Sequence, residues 1–340
     1  MSFSETSDRR SRFFFRGLAI ACVATLAFLT AGFFWATSTP GASYDGPPAA
    51  PQDAELPVRL ETHIRQLASG PRSLDDVTTI FSSVTYITDA LRKLGYEVER
   101  QEVIAPADNL VVKIPANSPD APILILGAHY DTVGVSPGAD DNASGVAALL
   151  ELAGMFEDLA SSSPVELHLI FYANEEPPYF KTGAMGSFVH ALSVDQTNRV
   201  IGMISLESMG YFSDEPGSQD YPFPLSLRYP TKGNFIAFVG DTSSRDFLRR
   251  AIGEFRKDAR IPSVGGTAPS VIRGIDWSDH WGYSQVGIPA FMVTDTAPFR
   301  NPNYHRMSDT PDTLDYQRLA LVVEGLDTMV RSLIFEGAVQ

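Results

Sequence analysis

The chain has 340 residues, of which 44% are hydrophobic and 20% charged, and it carries a net charge of -15. That composition supports a globular core and excludes wholesale disorder, while the acidic balance excludes nucleic acid as the expected partner. Cys22 is the only cysteine, so neither an intrachain disulfide nor a cysteine-based metal site is available.

Residues 17–36, GLAIACVATLAFLTAGFFWA, contain no charge. A helix of that length spans roughly 30 Å of hydrocarbon. Arg9, Arg10, Arg12 and Arg16 precede it, and no basic residue follows until Arg59. The positive-inside rule then places residues 1–16 in the cytoplasm as a basic tail and the bulk of the chain outside it. A retained signal anchor and a cleaved signal peptide both fit. The run is longer than a usual signal core, which favours the anchor. Residues 37–54 are rich in Pro and Ala and read as a linker, leaving 55–340 as one domain.

Within that domain the periodicity predicts helices over 56–67 and 74–94, strands over 96–103, 109–114 and 123–129, and a helix over 143–159. Strands over 165–172, 203–206, 235–239 and 289–293 follow, interleaved with helices over 183–192, 244–255 and 314–334. Residues 210–232 and 265–276 read as loops. This order predicts an α/β fold: a three-layer sandwich with a central, mostly parallel but mixed sheet and helices on both faces. Ligands in such folds bind at the carboxyl ends of strands. His129, the Glu175-Glu176 pair and Glu207 all fall at such ends, and His305 lies in the loop after the 289–293 strand.

His129, Asp141, Glu176, Glu207 and His305 form a set of two imidazoles and three carboxylates. Such a set suits two divalent ions with one carboxylate bridging. Zinc fits nitrogen and oxygen donors best, with manganese or cobalt as alternatives. A general base must stay off the metal, and adjacent Glu175 and Glu176 offer that division if they point opposite ways from an extended strand end. Asp140 reads as a loop-shaping residue. His63, His168, His190, Asp279 and His280 read as structural.

The blocks HYD at 129–131, PGADDNASG at 137–145, ANEEPPYF at 173–180, LESMGY at 206–211, SDHWGY at 278–283 and NPNYH at 301–305 resemble, in order, those of the M28 family of zinc aminopeptidases. The resemblance covers nearly all of residues 55–340 and implies a zinc-exopeptidase-like fold with two zinc ions per chain. It implies that Asp141 bridges the two, with His129 and Glu207 on one ion and Glu176 and His305 on the other. Glu175 would be the general base and acid. Asp131 would orient the His129 ring through its second nitrogen. The Asp141-Asn142 peptide would be cis, and Tyr304 would donate to the oxyanion. Many members have Asp where this chain has Glu207, which leaves substrate preference open. The expected activity is therefore a membrane-tethered aminopeptidase acting on peptides. The alternatives are a carboxypeptidase, a glutaminyl-cyclase-like acyltransferase with one zinc, and a catalytically dead membrane-tethered binding domain.

Overall fold

The computed structural model describes residues 3–73, 77–104, 107–159 and 162–336. The chain forms two compact units, Met1–Ser38 and Thr39–Gln340. The first is a single helix, α1 (Phe3–Thr37), whose segment Phe15–Thr37 is long and apolar enough to cross a bilayer.

The second unit is built on an eight-stranded mixed sheet. The strands are β1 (Glu99–Ile104), β2 (Ala107–Ile114), β3 (Ile123–His129), β4 (Glu166–Tyr172), β5 (Val200–Glu207), β6 (Ile236–Asp241), β7 (Ser263–Ala268) and β8 (Ala290–Thr294). Their order across the sheet is β1-β2-β4-β3-β5-β8-β6-β7. The centre, β4-β3-β5-β8, is parallel. The β1-β2 and β2-β4 pairs are antiparallel, as is β8-β6.

All seven residues of β3 are buried, so the strand is covered on both faces. Its side chains alternate with the period of two that a strand imposes. Leu124, Leu126 and Ala128 join one core, while Ile123 and Ile125 join the other. The first core takes residues from α2 (Leu56–Leu67), α4 (Gly145–Met155), α6 (Arg245–Asp258) and α9 (Tyr316–Phe335). It also includes Ile80, Val84, Ile87 and Leu91 of α3 (Val77–Lys93). The second core is covered by α5 (Gly186–Asp195) and α7 (His280–Ser284). These are the expected three layers.

Three local expectations need correction. Residues 265–276 are not all loop, because β7 takes the first of them. Its run Ser-Val-Gly-Gly-Thr-Ala carries little apolar side chain, so hydrophobic alternation could not flag it; pairing with β6 holds it in the sheet. The regular α4 helix starts at Gly145 rather than Ala143, because Ala139–Ser144 form a wider π-helical turn in which Asp141 (φ -106°, ψ 93°) and Asn142 (φ -130°, ψ 40°) leave the helical region. Residues 39–54 run against the domain surface: Arg256 donates to Thr39 Oγ1 at 2.9 Å, Ser43 Oγ accepts the N–H of Ser263 at 2.8 Å, and Glu324 accepts that of Asp53 at 3.0 Å.

Candidate metal centre

His129 and Glu207 are the last residues of the parallel neighbours β3 and β5, so the sheet itself carries them to one edge. Asp141 arrives from the turn before α4. That turn is fixed by its neighbours: Asn142 donates to Leu206 O at 2.8 Å and accepts the N–H groups of Gly145 and Ser208, both at 3.1 Å. The Asp309 carboxylate accepts the N–H groups of Asp140 at 2.9 Å and Asp141 at 3.2 Å. The Asp141-Asn142 peptide is cis. His305 comes from the loop after α8 (Ala297–Arg300), with a left-handed φ of 59°.

Two donor sets result, and Asp141 belongs to both. His129, Asp141 and Glu207 form one; Asp141, Glu176 and His305 form the other. Asp141 Oδ1 lies 3.3 Å from His129 Nε2, and Oδ2 lies 2.9 Å from His305 Nε2. Glu207 Oε2 is also 3.3 Å from His129 Nε2, and Glu176 Oε1 is 3.4 Å from His305 Nε2. Glu175 Oε2 stands farther off, 3.9 Å from His129 Nε2.

Protein contacts alone leave the centre unsatisfied. His129 Nε2 and Glu176 Oε1 are buried without an aligned hydrogen bond. Buried polar atoms are normally paired, so these orphans need an outside partner. Protonation shifts show the same demand for positive charge. Burial opposes a charged His129 ring, yet Glu175, Glu207, Asp131 and Asp141 hold its pKa well above the ordinary value. Burial likewise opposes charge on His305, but Asp141 and Glu176 raise it to about 10. Burial, reinforced by Asp141, pushes Glu176 up to about 7. Burial first, then Glu176, Glu207 and Asp279, raises Glu175 well above the carboxylate range. Two imidazoles and three carboxylates with inward-facing orphans fit a pair of divalent cations.

The expected geometry differs in two places. Glu175 and Glu176 do not extend β4; the strand ends at Tyr172 and the chain turns at Asn174 with φ 59°. The Asp131 carboxylate accepts both of their N–H groups, from Glu175 at 3.1 Å and Glu176 at 3.0 Å, while the side chains part, Glu175 toward His129 and Glu176 toward His305. The second nitrogen of His129 lies nearest the backbone oxygen of Asp131, at 3.2 Å, with the carboxylate at 3.7 Å.

Arg72, Ser208 and Ser278 support the site although the sequence did not single them out, and Asp140, Asp279 and Tyr304 complete its surroundings. Arg72 is fully buried, and its guanidinium donates to the carbonyls of Leu67, Tyr130, Pro137 and Gly138 at 2.6–3.0 Å. It thereby clamps the loop between His129 and Asp140. Ser208 and Ser278 hydroxyls donate to the two oxygens of Glu207 at 2.9 and 2.8 Å. Asp140 accepts from Gly210 N–H at 2.9 Å and Asn301 Nδ2 at 2.7 Å, a loop-shaping arrangement. Asp279 is buried with both carboxylate oxygens lacking a hydrogen-bond partner, and burial raises it to about 8. Tyr304 stacks on His305 with ring centroids 3.8 Å apart.

The sheet order and strand-end site define the class: an α/β fold with the architecture of zinc aminopeptidases. A zinc aminopeptidase from Bacillus subtilis superposes with a TM-score of 0.63 at 15% identity, covering 82% of this chain and 95% of that one. The sequence pattern described as Peptidase family M28 matches residues 109–328, and the chain belongs to that family. It is 40% identical over 298 residues to the uncharacterized protein YfbL of Escherichia coli, covering 83% of this chain and 90% of the relative. A probable leucine aminopeptidase 1 of Trichophyton verrucosum is 28% identical over 226 residues, 62% of this chain. The match spans 54% of that fungal protein's length.

Proposed function

We propose that this chain is a membrane-tethered aminopeptidase that uses two zinc ions and removes N-terminal residues from peptides outside the cytoplasm. The observation that carries the proposal is the placement of Asp141, one oxygen toward each histidine, at the junction of two three-residue donor sets. His129 and Glu207 would hold one ion, Glu176 and His305 the other, with Asp141 between them. The names of the fungal relatives support the aminopeptidase assignment. The apolar helix with four arginines before it supports tethering, with residues 1–16 cytoplasmic and 55–340 forming the peptidase domain.

Zinc at these positions supplies Lewis acidity for a carbonyl and for water. Glu175 takes the proton of the attacking water on a carboxylate oxygen and returns it to the leaving nitrogen, so it ends the cycle as it began. Its backbone N–H, bound by Asp131, fixes where that carboxylate starts. Burial and the surrounding carboxylates keep the Tyr304 phenol pKa well above its ordinary value, so it remains an O–H donor for the developing oxyanion. The substrate ammonium group is drawn to the carboxylates around Asp141 and Glu207.

Zinc counting and substrate blocking test this together. The expected result is two zinc per chain after reconstitution, with turnover of aminoacyl-anilides abolished by chelation and peptide cleavage prevented by N-terminal acetylation. One zinc per chain with cyclisation of N-terminal glutamine would replace this proposal with the acyltransferase. Cleavage blocked by C-terminal amidation instead would replace it with the carboxypeptidase. Protease accessibility of the domain in intact cells tests the topology.

A further inference from the structure

A cavity adjoins the metal centre. Glu207 and Tyr304 line it together with Arg273, Trp277, Phe238, Met292 and Phe299. Most of its lining is apolar, and Glu207 is the one carboxylate among the residues that line it. Exposed Arg273 brings the lining its one positive charge. Its guanidinium lies 5.2 Å from the Trp277 ring centroid and 5.8 Å from that of Phe299. Two aromatic faces restrict a side chain that otherwise loses much rotamer freedom on ordering. Among the described residues Arg273 has ring contacts but no ion pair. The acidic residue nearest in sequence, Asp276, is paired with Lys181 at 2.7 Å.

We infer that Arg273 is a specificity-determining residue and that this pocket selects substrates with a carboxylate on an apolar stem. The inference rests on the peptidase reading above. An aminopeptidase substrate carries a free ammonium group, which belongs at the Glu207 end. The positive charge of Arg273 in the same lining then calls for an anion, carried on aliphatic or aromatic substance that suits the apolar wall. An acidic side chain on the N-terminal residue supplies it, as does the C-terminal carboxylate of a short peptide. A guanidinium presents two parallel N–H groups that match a carboxylate, a geometry lysine lacks.

Paired substrates separate the two sources in the full-length, zinc-loaded protein. Glutamyl-anilide against glutaminyl-anilide reports the side chain, and leucyl-leucine against leucyl-leucinamide reports the C-terminus. Wild-type protein should prefer the charged member of one pair. Arg273→Gln should lower that preference, the ratio of kcat/KM values, about tenfold, which is the scale of one partly exposed charge-assisted contact. Arg273→Lys should recover part of it. Equal ratios in wild type and Arg273→Gln for both pairs overturn the inference. Calorimetry with hexanoate and hexanamide reads the same residue without turnover. Tighter hexanoate binding that weakens in Arg273→Gln supports the pocket assignment even if no peptide is cleaved; an equal hexanoate affinity in the two proteins rejects it. Failure of all hydrolysis with that binding difference intact therefore counts against the peptidase reading alone.

Discussion

The Asp131 carboxylate accepts the backbone N–H of Glu176 at 3.0 Å, and its other oxygen accepts that of Glu175 at 3.1 Å. One buried acid thus sets the positions of two neighbouring carboxylates whose side chains go to different places. Hydrogen bonds to a charged acceptor are each worth about 1.5–3 kcal/mol net. Asp131→Asn keeps the shape but replaces one accepting oxygen with an NH2 group, so one of the two N–H groups loses its acceptor. The variant should lose about 1–3 kcal/mol of stability in urea unfolding. Its turnover should fall 10–100-fold, the usual scale for a residue that orients metal-site groups. Wild-type turnover in a folded variant would show that the turn holds the glutamates without Asp131.

Arg72 makes a second prediction, for the loop rather than the glutamates. Three of its four carbonyl contacts hold the chain from Tyr130 to Gly138, and the fourth ties that loop to Leu67. Burial lowers its pKa to about 10, so it remains charged at neutral pH. Arg72→Met fills part of the volume and leaves those carbonyls without their donor. The expected cost is about 3–5 kcal/mol, that of breaking a buried charged network. Arg72→Lys should recover little, because a point charge with three donors cannot reach four carbonyls spread around a planar fork. Unfolding midpoints of the three proteins check the order.

The division between what was legible and what was not follows from how each residue is used. Buried parallel strands announce themselves as apolar runs, and the residues at their ends inherit a common edge; His129 and Glu207 could be placed that way. Asp141 and His305 stood out only as members of acidic or histidine-bearing blocks, since turns have no period. Arg72 gave no signal because a buried arginine bound to carbonyls looks, in sequence, like any surface arginine after a Gly-Pro turn. Strand β7 stayed hidden because its glycines contribute no side-chain pattern. A Cβ on Gly265 would come within 2.6 Å of the end of the Ile252 side chain and 3.3 Å of the Phe238 backbone, so a larger residue there would push the α6 side chain aside. The linker read over 37–54 reflects a composition rule that cannot see the partners Arg256 and Glu324, both far along the chain.

Stability should also depend on pH through Glu151, away from the metal centre. Glu151 lies on α4, where Arg59 Nε donates to it at 2.9 Å and His63 Nε2 sits 3.2 Å away. Burial alone would raise its pKa, but His63 and Arg59 outweigh burial and lower it. The unfolded chain therefore binds the proton more readily than the folded one. The stabilisation is complete above the unfolded carboxylate value and disappears as pH falls through the lower, folded value. Half-exposed Arg59 limits its size to about 1 kcal/mol. The stability gap between wild type and Glu151→Gln, from urea melts at several pH values, should be widest near neutrality and shrink toward acid. A gap that stays constant down to pH ~3 would contradict the depressed folded value.

Glu175 and Glu176 are chemically identical neighbours, and their different surroundings predict opposite losses. Glu176 belongs to a donor set with Asp141 and His305, whereas Glu175 belongs to neither set. Glu175→Gln removes the proton acceptor while keeping size and the Asp131 contact to its N–H. Turnover should fall about 10²–10⁴-fold, the usual contribution of a positioned general base. Zinc content, measured by elemental analysis after gel filtration, should match wild type. Glu176→Gln replaces an anionic donor with a neutral one and should instead lower zinc affinity, leaving activity that partly recovers as zinc is raised. If both variants lost zinc to the same extent, the division of roles between these two residues would fail. If Glu175→Gln kept normal turnover, the proton would have to go to another group, and buried Asp279, with neither oxygen hydrogen-bonded, would be the next residue to replace.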